Sequence, residues 1–309
     1  MNSYILKRVG EMLIVLFLMS VAVFVLSRLT GDPVSLLLSD YASDADRARI
    51  TAELGLDKPV LVQYINFLVN ALQGDFGHSL MGDQRPAIDL VLERLPASLQ
   101  LASIAFLFSL ALGIPLGVIA AAYSGSVWDI VARLIALVGQ SVPAFWLGLV
   151  LMYFFSVTLG WLPTSGYGGW RYFVLPVLTL GLFTTSAVTR LIRNTMLDVL
   201  ASDYIKLARL KGLPERTVIW KHALRNSLIP MLTFMGTFFA TMITGAVVVE
   251  TVFSWPGIGR LAFDAILNRD FPLIQAVVLM MAALFIVINL LVDISYAVVD
   301  PKIRLSGEA

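Results

Sequence analysis

Side chains able to carry chemistry are few in this chain and badly placed for catalysis. It holds two histidines, His78 and His222, and no cysteine. Thiolate metal sites and cysteine nucleophiles are therefore excluded, and only two imidazoles could act as bases. Both histidines fall outside the long apolar stretches, so no serine and histidine pair is expected at membrane depth. A GxxxxGK[ST] run is absent, and with it the backbone cradle that a P-loop ATPase uses for phosphate. What remains is a polar, basic segment, Asp198–Ser227, reading DVLASDYIKLARLKGLPERTVIWKHALRNS between two apolar stretches. Its chemistry is recognition by charge and shape.

Within that segment the spacing predicts a helix from Val199 to Lys211, with Leu200, Tyr204, Leu207 and Ala208 on one side and Ser202, Lys206 and Arg209 on the other. Gly212-Leu213-Pro214 ends it, because glycine caps one helix and proline suits the first turn of the next. The second helix is expected to reach about Asn226, with Glu215 near its positive end and Lys221 and Arg225 near its negative end. His222 belongs to this second helix, and His78 reads as a surface histidine. Taken alone, a basic amphipathic hairpin is more often a membrane-surface element than a coupling device. DNA binding is conceivable by shape, yet a hairpin held between adjacent spans has little room to enter a groove.

The elements that must position this hairpin follow from composition. Hydrophobic residues make up 58% of the chain and charged residues 14%, against about 25% charged in soluble domains. Six stretches carry no charge: Met12–Ser27, Leu95–Trp128, Leu134–Trp170, Tyr172–Thr189, Asn226–Val249 and Phe271–Val292. Most reach the roughly 20 residues a helix needs to cross a bilayer, and the first gains reach from Lys7, Arg8 and Arg28 at its ends. The first is expected to be retained as a span, since Glu11 interrupts the basic start and no small-residue cleavage site precedes Arg28. With the N-terminus inside, the inner segments hold 13 of the 22 Lys and Arg and a net charge of +5, while the outer segments sum to −4. The expected fold is all-α, with six transmembrane helices, N-in and C-in, in a multi-pass membrane protein.

Between the first two spans lies an outer segment of residues 30–96, with helices expected at Ala45–Leu54 and Pro59–Leu72, the second marked by Val60, Tyr64, Phe67 and Leu68. It reads as a small extracytoplasmic cap, either a lid on the bundle or a docking surface for an external partner, with the lid favoured. Gly113-Ile114-Pro115-Leu116-Gly117 in the second span is a GxxxG suited to close helix approach. Gln140 and Ser141, just before Pro143 in the third span, place polar groups and a kink at depth, read as packing or as pathway lining. Thr233, Thr237, Thr241 and Gly245 recur every fourth residue in the fifth span, beside Gly236, Ala240 and Thr244. This small, partly polar face fits helix packing first and a translocation path second. Trp255, in the run Glu250–Gly259, suits an interfacial belt, and a surface-lying or re-entrant segment is expected after it.

Together these motifs resemble the permease subunits of bacterial ABC importers, in the branch that imports dipeptides, oligopeptides, glutathione or nickel complexes. The likeness covers nearly the whole chain: Gly31-Asp32-Pro33, Leu54–Pro59, Gly74-Asp75-Phe76-Gly77, Gly160-Trp161-Leu162-Pro163, Asp203-Tyr204, Ala208–Gly212, His222–Asn226, Glu250–Gly259 and Asp300–Arg304. Where the broad family has Glu-Ala-Ala and a closing Leu-Pro, this chain has Lys206-Leu207-Ala208 and Leu224-Arg225, a mark of the peptide branch. The resemblance implies a type I importer permease fold and a role as one half of an ATP-driven membrane core in the bacterial inner membrane. It implies a homologous second permease, two cytoplasmic ATPase subunits that bind ATP and Mg, and a periplasmic or lipid-anchored substrate-binding protein. No cofactor, metal, catalytic residue or nucleic acid is expected of this chain itself.

The implied coupling loop comprises Asp203, Tyr204, Lys206, Ala208, Arg209, Lys211, Gly212, His222 and Arg225, with Gly212 permitting the elbow and Ala208 close approach. The candidate path comprises Gln140, Ser141, Thr233, Thr237, Thr241 and Thr244. The implied organisation is residues 1–29, a cap at 30–96, a five-helix core at 97–305 holding the loop 198–227, and a tail at 306–309. The competing class is an ATP-independent secondary transporter of a small polar solute. Such carriers place ionisable groups at the bilayer midplane, whereas Glu11, Arg28, Arg133, Arg190, Glu250 and Asp293 here sit near span ends.

Overall fold

The computed structural model describes residues 2–29, 34, 43–53, 55–80 and 84–299, with the side chains of 2–9, 53, 229, 232, 233 and 292–299 outside that set. Gly31-Asp32-Pro33, Leu54 and Asp300–Arg304 lie outside the described residues, as does the 306–309 tail. Among the described residues, five helices hold stretches long and apolar enough to cross a membrane: Asn2–Leu29 (at Gly10–Leu29), Ala87–Ala122, Arg171–Leu200, Leu224–Val252 (at Phe234–Val252) and Phe271–Val299 (at Phe271–Leu291). The remaining expected span is broken. Val127–Ser141 meets Ala144–Leu151, which continues as the π-helical segment Met152–Thr158, at a bend of 107°. Pro143 has no N–H to donate, and the residue before it, Val142, is extended at φ −85°, ψ 124°. The kink expected near the middle of this span is thus a sharp bend.

The chain forms two compact units. The larger comprises Ala97–Pro256 with the described part of 291–299, and Arg171–Leu200 is its central helix. Three glycines let neighbouring helices close on it. A methyl group at Gly117 would stand 2.7 Å from Ile192 Cβ and from the Thr189 carbonyl, and one at Gly113 would stand 2.8 Å from Val188. One at Gly139 would overlap Ser186 Oγ. Close approach lets the Thr189 hydroxyl donate to the Gly113 carbonyl at 3.3 Å, an interhelical bond at a GxxxG seam. Four further hydroxyls of the central helix bond back to carbonyls one turn earlier: Thr179 to Leu175, Thr185 to Gly181, Ser186 to Leu182 and Thr195 to Leu191. A helix rich in Thr and Ser can therefore be buried with most of its hydroxyls paired.

At the other end of this unit Trp255 is completely buried rather than exposed in an interfacial belt. Its indole N–H donates to the Ala97 carbonyl at 3.0 Å, and the Phe173 and Tyr167 rings meet it edge-on at 4.6 and 4.9 Å. Aromatic packing and one satisfied donor explain the burial better than a membrane anchor does. Beside it the buried Glu250 carboxylate accepts from Ser98 Oγ at 2.6 Å.

The smaller unit gathers the described residues of 1–96 with Gly257–Leu290. The expected outer helices occur at Asp44–Glu53 and Val60–Leu72, and a further helix, Ile258–Leu267, follows the Pro256-Gly257 turn. Ala87, Val91, Ile258, Ala265, Leu273, Ala276 and Val277 form its core. Asp270, wholly buried, accepts from the Ser79 hydroxyl and from the Leu80 N–H at 3.1 Å, and caps the last helix through the Leu273 N–H at 3.2 Å. Gln275 Nε2 donates to Ser27 Oγ at 2.8 Å and ties the first helix to the last.

Close packing at Gly117 makes Gly117→Ala an overpacking change, expected to cost ~1–3 kcal/mol. Gly245→Ala, where an added methyl meets nothing within 4 Å, is expected to leave the thermal unfolding midpoint unchanged. Comparing the two midpoints in detergent checks the assignment.

Candidate functional site

The basic segment folds as an elbow whose underside belongs to the core. A short helix, Asp203–Leu210, ends at Gly212, which takes φ +77°, a left-handed conformation that favours glycine. The Gly212 N–H donates to the Arg209 carbonyl at 2.9 Å and the Leu213 N–H to the Ala208 carbonyl at 3.4 Å, the paired bonds of a Schellman cap. Pro214 then opens Glu215–Thr217, which runs without a break through the π-helical Val218–Ala223 into Leu224–Val252. The second arm is therefore the inner end of the fifth span. A separate helix ending near Asn226 is not formed, because Ala223 and Leu224 keep helical backbone angles.

Ile205, wholly buried, is the residue that fixes the short helix. It shares one cluster with Val218 and Ala223 of the second arm, Val188, Ile192 and Met196 of the central helix, and Val118 and Ala121 of the second span. Ala208 and Leu200 pack against this cluster as expected. Leu207 does not: it is 53% exposed, and Leu210 is 84% exposed. Tyr204 is also exposed, its hydroxyl accepting from Asn226 Nδ2 at 2.7 Å. The sequence-based division of faces is thus corrected: Ile205 replaces Leu207 on the buried side. Leu207, Leu210, Leu213, Tyr204 and Trp220 form an exposed apolar set around the bend.

Charges brace the elbow as well as decorate it. Lys206 pairs with Asp203 at 2.9 Å, and Arg209 grips Glu215 across the bend through bonds of 2.6 and 3.2 Å. Hydrogen bonding from the Arg209 guanidinium holds the Glu215 carboxyl below its usual range, and Glu215 in turn raises Arg209 above its usual value. Among the described residues, Lys211 and Arg225 make no ion pair, so their charge is available to a partner. His222 is half-buried on the second arm, its carbonyl accepting from Asn226 Nδ2 at 3.2 Å.

A second element was not singled out by sequence. Asp129, buried beside the turn Tyr123–Ser126, accepts two bonds from Arg193, at 2.7 and 3.0 Å, one from the Gly125 N–H at 3.0 Å, and pairs with Arg133 at 3.3 Å. This bidentate clamp joins the turn between the second and third spans to the central helix, two turns before that helix reaches the elbow. Asp129 and Arg133 at i, i+4 were visible in sequence; Arg193, 64 residues on, was not.

The candidate path is brought together in part. A cleft of about 250 Å³ is lined by Gly139 and Val142 at the bend, Thr179, Thr184 and Phe183 of the central helix, and Thr241 and Gly245 of the fifth span. Gln140 and Ser141 flank it in sequence but do not line it; Gln140 is half-buried and Ser141 is exposed, donating to the Leu137 carbonyl at 2.9 Å. Thr237, Thr241 and Thr244 share an exposed face, whereas Gly236 and Ala240 are buried. The Thr233 side chain lies outside the described residues.

The sequence pattern of the family described as binding-protein-dependent transport system inner membrane component matches residues 113–305, and its N-terminal companion pattern matches residues 1–102. The chain is 41% identical over 305 residues to the glutathione transport system permease protein GsiC of Salmonella typhimurium (strain LT2), covering 98% of this chain and 99% of the relative. The same protein of Escherichia coli (strain K12) gives the same identity and coverage. Among solved structures, the inward-facing MetNI methionine ABC transporter aligns with a TM-score of 0.61 at 16% identity, over 71% of this chain and 100% of that one. An amino acid ABC transporter with histidines aligns with a TM-score of 0.54 at 17% identity, over 68% and 94%. These structural matches bear on the fold.

Because Glu215 is depressed, the Arg209 pair contributes its stability above the ordinary carboxylate range and loses it as the pH falls through the lowered Glu215 value. Both groups are substantially exposed, so the effect is expected to stay below about 1 kcal/mol. Hydrogen-exchange protection of the Gly212, Leu213 and Glu215–Thr217 amides should fall on acidification in the wild type, and Glu215→Gln should remove that dependence.

Proposed function

The chain belongs to the family of binding-protein-dependent transport system inner membrane components, is a multi-pass permease of an ABC importer, and on that premise we propose how it is driven and what it carries. The observation that carries the proposal is the elbow: an exposed apolar and basic surface, Leu207, Leu210, Leu213 and Lys211, held on a buried Ile205 anchor. A surface of this kind, about one short helix long, suits a cleft in a cytoplasmic ATPase subunit. Two such subunits would bind ATP and Mg, one meeting this elbow and the other that of a homologous permease. ATP-driven closure would move each elbow as a rigid lever, since the elbow and central helix share one core. Asp203, Tyr204, Lys206 and Arg209 would shape and brace the lever, Lys211 and Arg225 would supply charge, and Gly212 would permit the bend.

The substrate we propose is a short peptide or peptide-like solute, with glutathione the first to try because the 41% identical relatives are named for it. It would be delivered from outside by a substrate-binding protein. Thr237, Thr241 and Thr244, exposed on one face of the fifth span, offer hydroxyls that can exchange hydrogen bonds with passing amide groups. The ATP-independent carrier has no observation in its favour once family membership is known.

Leu210→Glu places a charge at the most exposed apolar position of the elbow and is expected to cut ATPase co-purification about tenfold or more, as for a central interface anchor, without changing the thermal midpoint of the permease. Unchanged co-purification would remove the elbow from the interface. Thr241→Trp should block binding-protein-dependent uptake of labelled glutathione while leaving ATPase recruitment intact; normal uptake would take the threonine face out of the path.

A further inference from the structure

The outer helix Val60–Leu72 has three faces. Tyr64, Phe67, Leu68 and Ala71 turn inward: the Tyr64 hydroxyl bonds with Ser20 Oγ at 2.8 Å, and the Tyr64 and Phe67 rings stand 5.3 and 5.7 Å from Phe24. A second face, Leu61, Ile65, Val69 and Leu72, is 69%, 51%, 47% and 82% exposed. The third carries the exposed amides Asn66 and Asn70, continued by Gln73 one turn on. A water-borne cap helix needs only an inward apolar face and an outward polar one; the second apolar face has no purpose in water.

Depth explains it. Ser20 lies nine residues inside Leu29, the outer end of the first apolar helix, or about 13 Å at the α-helical rise. The cavity beside Leu68, Ala71 and Leu72 is also lined by Leu279, Met280 and Ala283 of the last helix, which lie roughly 12–18 Å inside its outer end at Phe271. Two independent spans therefore put this helix inside a ~30 Å hydrocarbon core, reaching to about its middle. Leu72 of its exposed face lines the same cavity as the exposed Leu13 and Phe17 of the first span.

We propose that Val60–Leu72 is a re-entrant helix seated in the outer leaflet, with Leu61, Ile65, Val69 and Leu72 among phospholipid acyl chains and Asn66 and Asn70 turned toward the headgroups. The charged helix before it, Asp44–Glu53 (DADRARITAE), stays in water. The entry turn is set by Gln63, buried, whose Nε2 donates to the Leu56 and Lys58 carbonyls at 3.1 and 2.6 Å. Within the segment between the first two spans, Val60–Leu72 is thus membrane-bound rather than part of a cap standing clear of the bilayer.

Because this chain has no cysteine, single-cysteine labelling read on the separated permease band is free of background. In the full transporter reconstituted in right-side-out vesicles, a membrane-impermeant maleimide is expected to label Arg49→Cys and to lose labelling at Ile65→Cys and Val69→Cys. A small fluorophore placed at the latter two through a permeant maleimide should be quenched by lipids brominated on their acyl chains. Labelling of Ile65→Cys and Val69→Cys at the Arg49→Cys rate would place the helix in water and overturn the proposal. Protection from the maleimide without quenching would mean that a second protein covers the face, and would overturn it as well. Two substituted positions are read so that a local defect at one does not decide the outcome.

Discussion

Burial of Ile205 beneath the elbow is the contact on which the rest of the larger unit depends. A short helix of eight residues, Asp203–Leu210, is too short to hold itself together in water; it exists here because Ile205 is inserted among Val188, Ile192, Met196, Val218 and Ala223. The same cluster contains Val118 and Ala121 of the second span. Three spans and the elbow therefore share one packed volume, and packed volumes shift as bodies rather than deform continuously. The apolar set of Leu207, Leu210 and Leu213 remains exposed only because Ile205 points the other way. Recognition outside and transmission inside are two faces of one helix.

Polar groups in this chain are buried where they fasten elements together. Asp129 closes the inner turn onto the central helix through Arg193, Glu250 receives the Ser98 hydroxyl, and Asp270 receives Ser79 and Leu80 while capping the last helix. Asp129 and Asp270 lie close to helix ends, where loop N–H groups or an arginine reach them, so the desolvation cost of a buried carboxylate is offset by several bonds. At mid-span the polar load is carried by hydroxyls that return to their own helix backbone, as Thr179, Thr185 and Ser186 do. Glycine supplies the remaining device: Gly113, Gly117 and Gly139 remove the side chains that would otherwise hold neighbouring helices away from Arg171–Leu200.

Charge-free length made the spans legible in sequence, because a bilayer imposes a minimum on each, and glycine before proline made the elbow legible at Gly212-Leu213-Pro214. Finer features depended on partners remote in sequence. The Val199–Lys211 periodicity is compatible with either Leu207 or Ile205 facing the core, and only the neighbouring central helix selects Ile205. Pro143 announced a kink, but its 107° angle comes from an extended Val142 as well. Trp255 looked like an interfacial anchor because nothing local reveals the Phe173 and Tyr167 rings or the Ala97 carbonyl that enclose it. Of the candidate path, the bend at Gly139–Val142 and Thr241 meet in one cleft, while Gln140 and Ser141 turn elsewhere.

Rigid transmission through Ile205 is tested most directly by the number of substrate molecules taken up per ATP hydrolysed in proteoliposomes containing the full transporter with Ile205→Ala. Alanine keeps an apolar, strongly helix-favouring residue at the anchor, the Gly212 cap stays, and Leu207 and Leu210 are untouched, so the ATPase subunits should still bind and hydrolyse ATP. A cavity under the elbow should let the lever move without carrying the spans, so uptake per ATP is expected to fall well below that of the wild type. An unchanged ratio, with assembly and ATPase activity intact, would contradict the idea that the elbow drives the spans through their shared core.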